Sequence, residues 1–317
     1  MGPWRCVIGV GRCGRAWRPC SWAQRYRPKP QTWPQTWPQT WPHPNRRCCR
    51  QRRRPSSRIP ASRGGGSSPT AKWYFEFGSN KEFWSNPNIH VSQPALGNNF
   101  TIYNVQGHDD PAGAGEAPQY NIRVSRFFNE NWGVELNIDH SKYSTDIGQT
   151  AQVSGLIGGV PVNGPRQLDN FFFNEQLHNG ANHVMLDAVY RYPLIGQTNE
   201  TNSLAAIGKA GIGVMLPHTS DIILGNPNNV GTKTWNNLIG INSGWWQLNG
   251  WTTGIEVGLR YVVFKPFYLE LTNKVAYSSF GNLPAFQGTM SQAMWMDEIV
   301  LTLGFTYDGT SAHPLWW

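Results

Sequence analysis

Residues 117–142 constrain this chain more than any other stretch. They contain two alternating runs joined by the polar turn Phe128-Asn129-Glu130-Asn131. In the first run Tyr120, Ile122 and Val124 share one face while Asn121, Arg123 and Ser125 share the other. In the second, Trp132, Val134, Leu136 and Ile138 oppose Gly133, Glu135, Asn137 and Asp139. A period of two sorts residues in this way only on a strand, so the segment is predicted to be a long antiparallel hairpin with one apolar and one charged face.

The pattern recurs. Trp73, Phe75 and Phe77 alternate with Tyr74, Glu76 and Gly78, and further alternating runs cover 182–192, 203–215, 251–263, 267–277 and 294–307. With the hairpin these make eight strands, close in length to the 9–11 residues that cross a bilayer at a steep tilt. A ninth strand-like piece, 99–106, is expected to extend a hairpin above the barrel or to cap it. The intervening segments alternate between short (128–131, 193–202, 264–266) and long (84–117, 143–182, 217–250, 278–293). An even strand number with short turns at one end and long loops at the other is the layout of a bacterial outer-membrane barrel. Trp73, Trp132, Tyr192, Trp251, Phe267, Tyr277, Trp295 and Tyr307 stand at strand ends, where aromatic girdles belong. The expected fold is therefore all-β: an eight-stranded antiparallel up-and-down transmembrane barrel over 73–307 in the bacterial outer membrane. No apolar run reaches the 18 residues a helical span needs. The competing reading is a soluble lipocalin-like barrel, with its apolar face turned inward around a ligand.

Charge divides the chain. Residues 1–72 hold 16 of the 27 Lys and Arg and no acid, whereas 73–317 hold 11 basic residues against 19 acidic ones. All five cysteines lie in the basic part, which also repeats Gln-Thr-Trp-Pro three times from Gln31 and runs through NRRCCRQRRRPSSR to a Gly/Ser stretch. Such composition builds no packed core, so this Arg-, Pro- and Trp-rich segment is expected to be disordered. Arg interleaved with Trp could form a nucleic-acid arm, and many Arg without acids could form a transit peptide. The favoured reading is a spurious extension from an over-extended gene start or a shifted frame, so no nucleic-acid partner is expected. The only apolar fragment, 6–10, is shorter than the core of a signal peptide, and the true signal is expected to be missing from this version of the chain. A barrel without cysteine suits an oxidising compartment.

PQYNIRV (118–124), FNENWGVELNIDHSKY (128–143) and NGANHVMLDAVYRYPL (179–194) resemble an uncharacterised family of bacterial eight-stranded outer-membrane proteins. The architecture is also similar to that of OmpA- and OmpW-like barrels. LTLGFTY (301–307) resembles the closing-strand signal read by the barrel-assembly machinery, although a tail, 308–317, follows it. The resemblance implies that machinery, outer-membrane lipid and lipopolysaccharide as partners, no cofactor, and no catalytic residue.

With the apolar face toward lipid, the inward set contains Glu76, Glu135, Asp139, Asp187, Glu256, Glu270 and Glu298 with Arg123, Arg191, Lys209, Arg260 and Lys274. Eight strands leave room only for side chains, so these charges are expected to neutralise one another as a plug that fixes strand register. A narrow path for a small solute or ion is the alternative, cation-preferring because acids are in excess. A lipid-modifying hydrolase is a third reading. Asp139, His140 and Ser141 are triad residue types, but strand neighbours point to opposite faces. The lipid A deacylases resemble a His-x-Ser pattern, and the residue two after His140 is Lys142. His108, Asp109 and Asp110, with His90, have no metal-ligand spacing beyond adjacency, and no metal is expected. The long loops carry Phe171, Phe172, Phe173, Trp235, Trp245 and Trp246, predicted as exposed aromatics that either pack into a loop cap or touch a partner. A structural or surface-interaction role without enzymatic activity is the expectation.

Overall fold

The computed structural model describes residues 72–109, 118–177, 179–229, 239–240 and 244–308. Residues 1–71, Asp110, Trp235 and most of the tail lie outside the described residues. Eight long strands form the barrel: β1 (Lys72–Trp84), β2 (Tyr120–Phe127), β3 (Trp132–His140), β4 (Ala181–Ile195), β5 (Leu204–Pro217), β6 (Gly250–Phe264), β7 (Phe267–Ala285) and β8 (Gly288–Tyr307). Each pairs antiparallel with the next, and β8 returns to β1 in unbroken register from Trp73↔Tyr307 to Trp84↔Met296. Closure leaves the barrel wall with no free edge, which in lipid would be a row of unsatisfied backbone groups.

Burial follows the period of two, with the polar residues inside. On β3 Gly133, Glu135, Asn137 and Asp139 are buried while Trp132, Val134 and Leu136 are exposed. Around the wall many large apolar side chains are exposed, including Ile212 at 71%, Ile255 and Phe77 at 62%, and Leu271 at 54%. A lipocalin-like barrel is the inverse of this, and that alternative is corrected: the charged face is the inner one. Trp251, Tyr277 and Trp295 touch in a row at the long-loop end, with ring centroids 5.6 and 5.2 Å apart. At the other end Phe264 meets Phe267, and Trp132 meets Tyr190. Between Phe267 and Tyr277 a tilted strand rises about 25 Å, the height of a lipid-facing band. The belt is broken on one wall, where Ser79, Lys81, Asn273 and Asp297 face outward. Asn273 Nδ2 donates to Asp297 Oδ1 at 2.5 Å, and Lys81 Nζ reaches Asp109, so these polar groups are paired where they leave the apolar band.

The long connections are folded, contrary to the expectation of polar loops. Residues 278–293 belong to β7 and β8 themselves, which continue as a ribbon to a turn at 286–287. The Gly, Asn and Pro of 281–284 read as a loop signal, but they are absorbed by a bulge between Phe280 and Leu283, with Asn282 at φ 55°. The raised part of β8 pairs with Ile89–Gln93, which pairs with Asn98–Tyr103, then Thr150–Ile157, then Val160–Gln167. The predicted strand at 99–106 is the second member of this fringe. A separate five-stranded sheet faces it, made of Gly107–His108, Ser144–Thr145, Phe173–Gln176, Ser220–Ile223 and Asn226–Asn229. Ile89, Val91, Phe100, Ile102, Val153, Phe173, Ile223, Phe280 and Met290 are among the residues that fill one apolar core in this region. The outer end of the barrel therefore carries a second, dry core.

Among the described residues the fringe ends in a free edge, Val160–Gln167, and its sequence protects it. Gly158 and Gly159, at φ 59° and 76°, make the two-residue turn whose twist suits a hairpin. Ile157 and Val160 close that turn, so alternate residues from Pro161 turn their backbone outward. Two of these, Pro161 and Pro165, have no N–H to offer an incoming strand.

Leu271, near the middle of the band, tests the outward apolar face. Leu271→Arg is expected to cost about 2–4 kcal/mol and Phe267→Arg, at the girdle, about 0–1 kcal/mol. Urea unfolding of the protein in phospholipid vesicles measures both.

Candidate functional site

The lumen is built in layers, starting at the short-turn end. Tyr74, Phe127, Val189, Ile207, Val262 and Tyr268 form an apolar floor. Arg191 lies on it, 4.1 Å over the Phe127 ring, donating to Tyr74 Oη at 2.7 Å and twice to the Glu130 carbonyl. Tyr268 can lie flat across the barrel because its register partner is Gly304, where a Cβ would stand 2.2 Å from the ring.

Above the floor is an ion network from six strands. Arg123 grips Glu256 with two parallel hydrogen bonds, 2.6 and 3.1 Å. Lys209 Nζ lies 2.8 Å from Glu135 and 2.8 Å from Glu270. Arg260 joins Glu270 at 2.6 Å to Glu76 at 2.7 Å, and Glu76 also accepts from Tyr268 Oη and Thr302 Oγ1. A third layer sets Lys274 between Asp139 and Glu298. Asn80 donates to Glu298 at 2.6 Å and to Glu82 at 2.7 Å, and Asn121 donates to Asp139 and, at 3.0 Å, to Asn137 Oδ1.

All the predicted lumen charges are at most 4% exposed and on the inner face. Ten are joined by these ion pairs. Arg191 instead belongs to the floor, and Asp187 stands opposite Gly211, outside the salt bridges among the described residues. Sequence reasoning missed Glu82 and Asn80 because inner and outer residues of β1 were assigned only as far as Gly78, whereas the alternation continues to Trp84. It also missed the floor aromatics, since Tyr74 and Tyr268 were taken only as members of alternating runs.

The hydrolase residue types are not assembled. Asp139 faces Lys274 inside, while His140 is stacked on Tyr120 at 4.8 Å with Nδ1 2.6 Å from Asn182 Oδ1. His108 pairs with Asp146, Asp109 with Lys81, and His90 lies against Thr101 at 3.2 Å. The loop aromatics are mostly not exposed, which corrects the expectation for them. Phe173 and Phe172 are in the apolar core of the cap. Trp245 stacks on His218 at 4.0 Å, and Trp246 Nε1 donates to the Asn179 carbonyl at 3.0 Å. Only Phe171 of the described group stands out, at 68% exposure.

The cap holds one polar cluster that no sequence pattern announced. Glu175 and Asp221 are direct partners across the strand pair Phe173–Gln176 and Ser220–Ile223, and their side chains face the core with Phe173 and Ile223. Glu175 Oε1 accepts from Gln292 Nε2 at 2.9 Å, and Asp221 Oδ1 accepts from Asn228 Nδ2 at 3.0 Å. Burial pushes Glu175 up to about 8 against the Gln292 hydrogen bond, with the nearby Asp221 adding to the rise. Burial likewise lifts Asp221 to about 7. Phe173-Asn-Glu-Gln and Ser220-Asp-Ile-Ile do not alternate apolar with polar residues, and four residues are too few to separate a strand from a loop by pattern.

No protein-family model and no curated protein matches the sequence. Among solved structures the chain is similar to the outer membrane protein OprG from Pseudomonas aeruginosa, at 11% identity over 76% of this chain and 97% of that one, TM-score 0.34. It is also similar to the outer membrane protein AlkL in lipid bilayers, at 12% identity over 78% and 95%, TM-score 0.33. The N-terminal β-barrel domain of Pseudomonas aeruginosa OprF matches at 13% identity over 75% and 98%, TM-score 0.30. The barrel assignment for this chain rests on its own strand pairing.

Two measurements follow. Arg260→Met strips Glu76 of its cation while Glu270 keeps Lys209, and it is expected to cost about 3–5 kcal/mol, while adding Glu76→Gln restores much of it; urea midpoints read both. For the cap, folded Glu175 and Asp221 keep protons that the unfolded chain releases near its ordinary carboxylate values. Their contribution is thus fully present below about pH 4 and lost as pH rises through about 7 to 8. In chelator-treated buffer, hydrogen exchange of 173–176 and 220–223, corrected for intrinsic rates, is expected to lose protection over that range. Glu175→Gln with Asp221→Asn flattens the dependence.

Proposed function

We propose that this chain is an integral β-barrel of the bacterial outer membrane whose charged lumen is a structural plug, and whose folded outer cap serves surface interaction without catalysis. The observation that carries the reading is the distribution of side chains. Apolar residues line the outside over a bilayer's height, while the inside is filled by mutually paired charges above an apolar floor. Neutralised in place, the buried ions hold each strand to its neighbours in one register. Leu301, Leu303, Phe305 and Tyr307 all face outward along β8, which supports the barrel-assembly machinery as a partner for the closing strand. The row Trp251, Tyr277 and Trp295 is placed to meet outer-leaflet lipid and lipopolysaccharide. Separation of Asp139 from His140 supports a role without hydrolysis.

A narrow cation path is the second reading, favoured by the surplus of carboxylates over cations in the lumen. Membrane fractionation and a gel comparing boiled with unboiled samples test the barrel: an outer-membrane protein that migrates faster unboiled is expected. Planar-bilayer recording separates plug from path, with no discrete conductance steps expected from the plug. A protein that stays soluble and monomeric without detergent overturns both. An altered lipid A mass spectrum on expression overturns the non-enzymatic role.

A further inference from the structure

The Glu175–Asp221 pair inside the cap has an unresolved charge. Both side chains are at most 3% exposed, and no salt bridge joins either to a cationic side chain among the described residues. Their titratable neighbour is Tyr143, also fully buried, whose phenol senses Glu175. The remaining polar partners, Gln292 from β8 and Asn228 from the adjacent strand, donate to one oxygen of each carboxylate only. The other oxygen of each, Glu175 Oε2 and Asp221 Oδ2, is buried without a donor, and so is Gln292 Oε1 on the amide that already touches Glu175. Cross-strand partners hold their Cβ atoms about 5 Å apart, so both carboxylates can close on one point. Three acceptor oxygens on adjoining side chains are left facing no hydrogen. A single shared proton bridges two of these oxygens and leaves the third unmet, whereas one dication can meet all three.

We propose that Glu175, Asp221 and Gln292 form a binding site for a hard divalent cation, Ca²⁺ in particular, built into the cap. The donor set is all oxygen, two of its three members are anionic, and a buried pair of negative charges is compensated by one dication. The ion would lie between the inner face of the five-stranded cap sheet and the raised ribbon of β8. It would thereby tie the cap to the barrel strand that carries Gln292.

The test uses the full chain refolded from urea into detergent micelles with millimolar CaCl₂ or with chelator, then desalted. Bound calcium is measured by atomic absorption and cap protection by hydrogen exchange. The expected result is one retained ion per chain and slower exchange of 173–176 and 220–223 in the calcium sample. Glu175→Gln with Asp221→Asn, isosteric and uncharged, is expected to lower retention about tenfold or more and to remove the calcium effect on exchange. Gln292→Glu supplies a third carboxylate and is expected to tighten binding. Wild-type protein that retains no calcium, or a double variant that retains as much as wild type, overturns the site. Should the double variant not fold by gel migration, the wild-type stoichiometry and the Gln292→Glu comparison decide.

Discussion

A charge inside an eight-stranded barrel has no bulk water to fall back on. The lumen is just wide enough for side chains, so ten of the twelve inward charges named find a counter-charge on another strand, while Arg191 is held by the floor and Asp187 lies outside the salt bridges among the described residues. That pairing organises the rest. Arg123 clamps Glu256 across the barrel, Lys209 is shared between Glu135 and Glu270, and Arg260 links Glu270 to Glu76. Shifting any one of these strands by a residue would turn its charges into lipid and its leucines inward, a change unfavourable on both faces. The same crowding explains the inward glycines. Tyr268 needs the absence of a side chain at Gly304, and Asp187 needs it at Gly211.

The cap obeys a different rule. Its core is dry and apolar, with Phe100, Val153, Phe173 and Leu283 packed between two sheets, and its stability comes from burial rather than from ion pairing. The two regions share strands, since β7 and β8 run from the girdle into the raised ribbon without a break other than one bulge. Force or disorder in the cap is therefore transmitted to the wall through covalent backbone. The wall's eight strands have no edge, whereas the fringe ends in one, and there Pro161 and Pro165 remove outward donors. A partner approaching that hairpin has side chains to recognise, such as Val160 and Leu156, and a backbone poorly suited to pairing.

Much of the barrel was legible in the sequence because a period of two over eight or more residues leaves little choice of fold. The strands Tyr120–Phe127 and Trp132–His140, and the inward position of the twelve charges, follow from that period together with the placement of polar residues on one face. The partners of those charges did not follow, since register across a barrel is set by turns and closure that composition does not encode. Strand ends were misplaced where Gly, Pro or Asn entered a strand: β7 and β8 were cut before their ribbon. The cap was illegible for a separate reason. Its strands are short, from Gly107–His108 to Phe173–Gln176, and far apart in sequence, so neither alternation nor local turns mark them, and Glu175 and Asp221 looked like ordinary loop acids.

The span of the ion network has a consequence for how such a chain is assembled. Arg260 and Glu76 are 184 residues apart, and Arg123 and Glu256 are 133 apart. No partial sheet made of a few neighbouring strands contains both members of these pairs. Each half-built intermediate carries unmatched charge, and the deficit is cancelled only when β8 docks against β1. A wrongly registered or prematurely closed ring leaves ions stranded and is disfavoured by several kcal/mol, so the lumen favours the one closure that matches every pair.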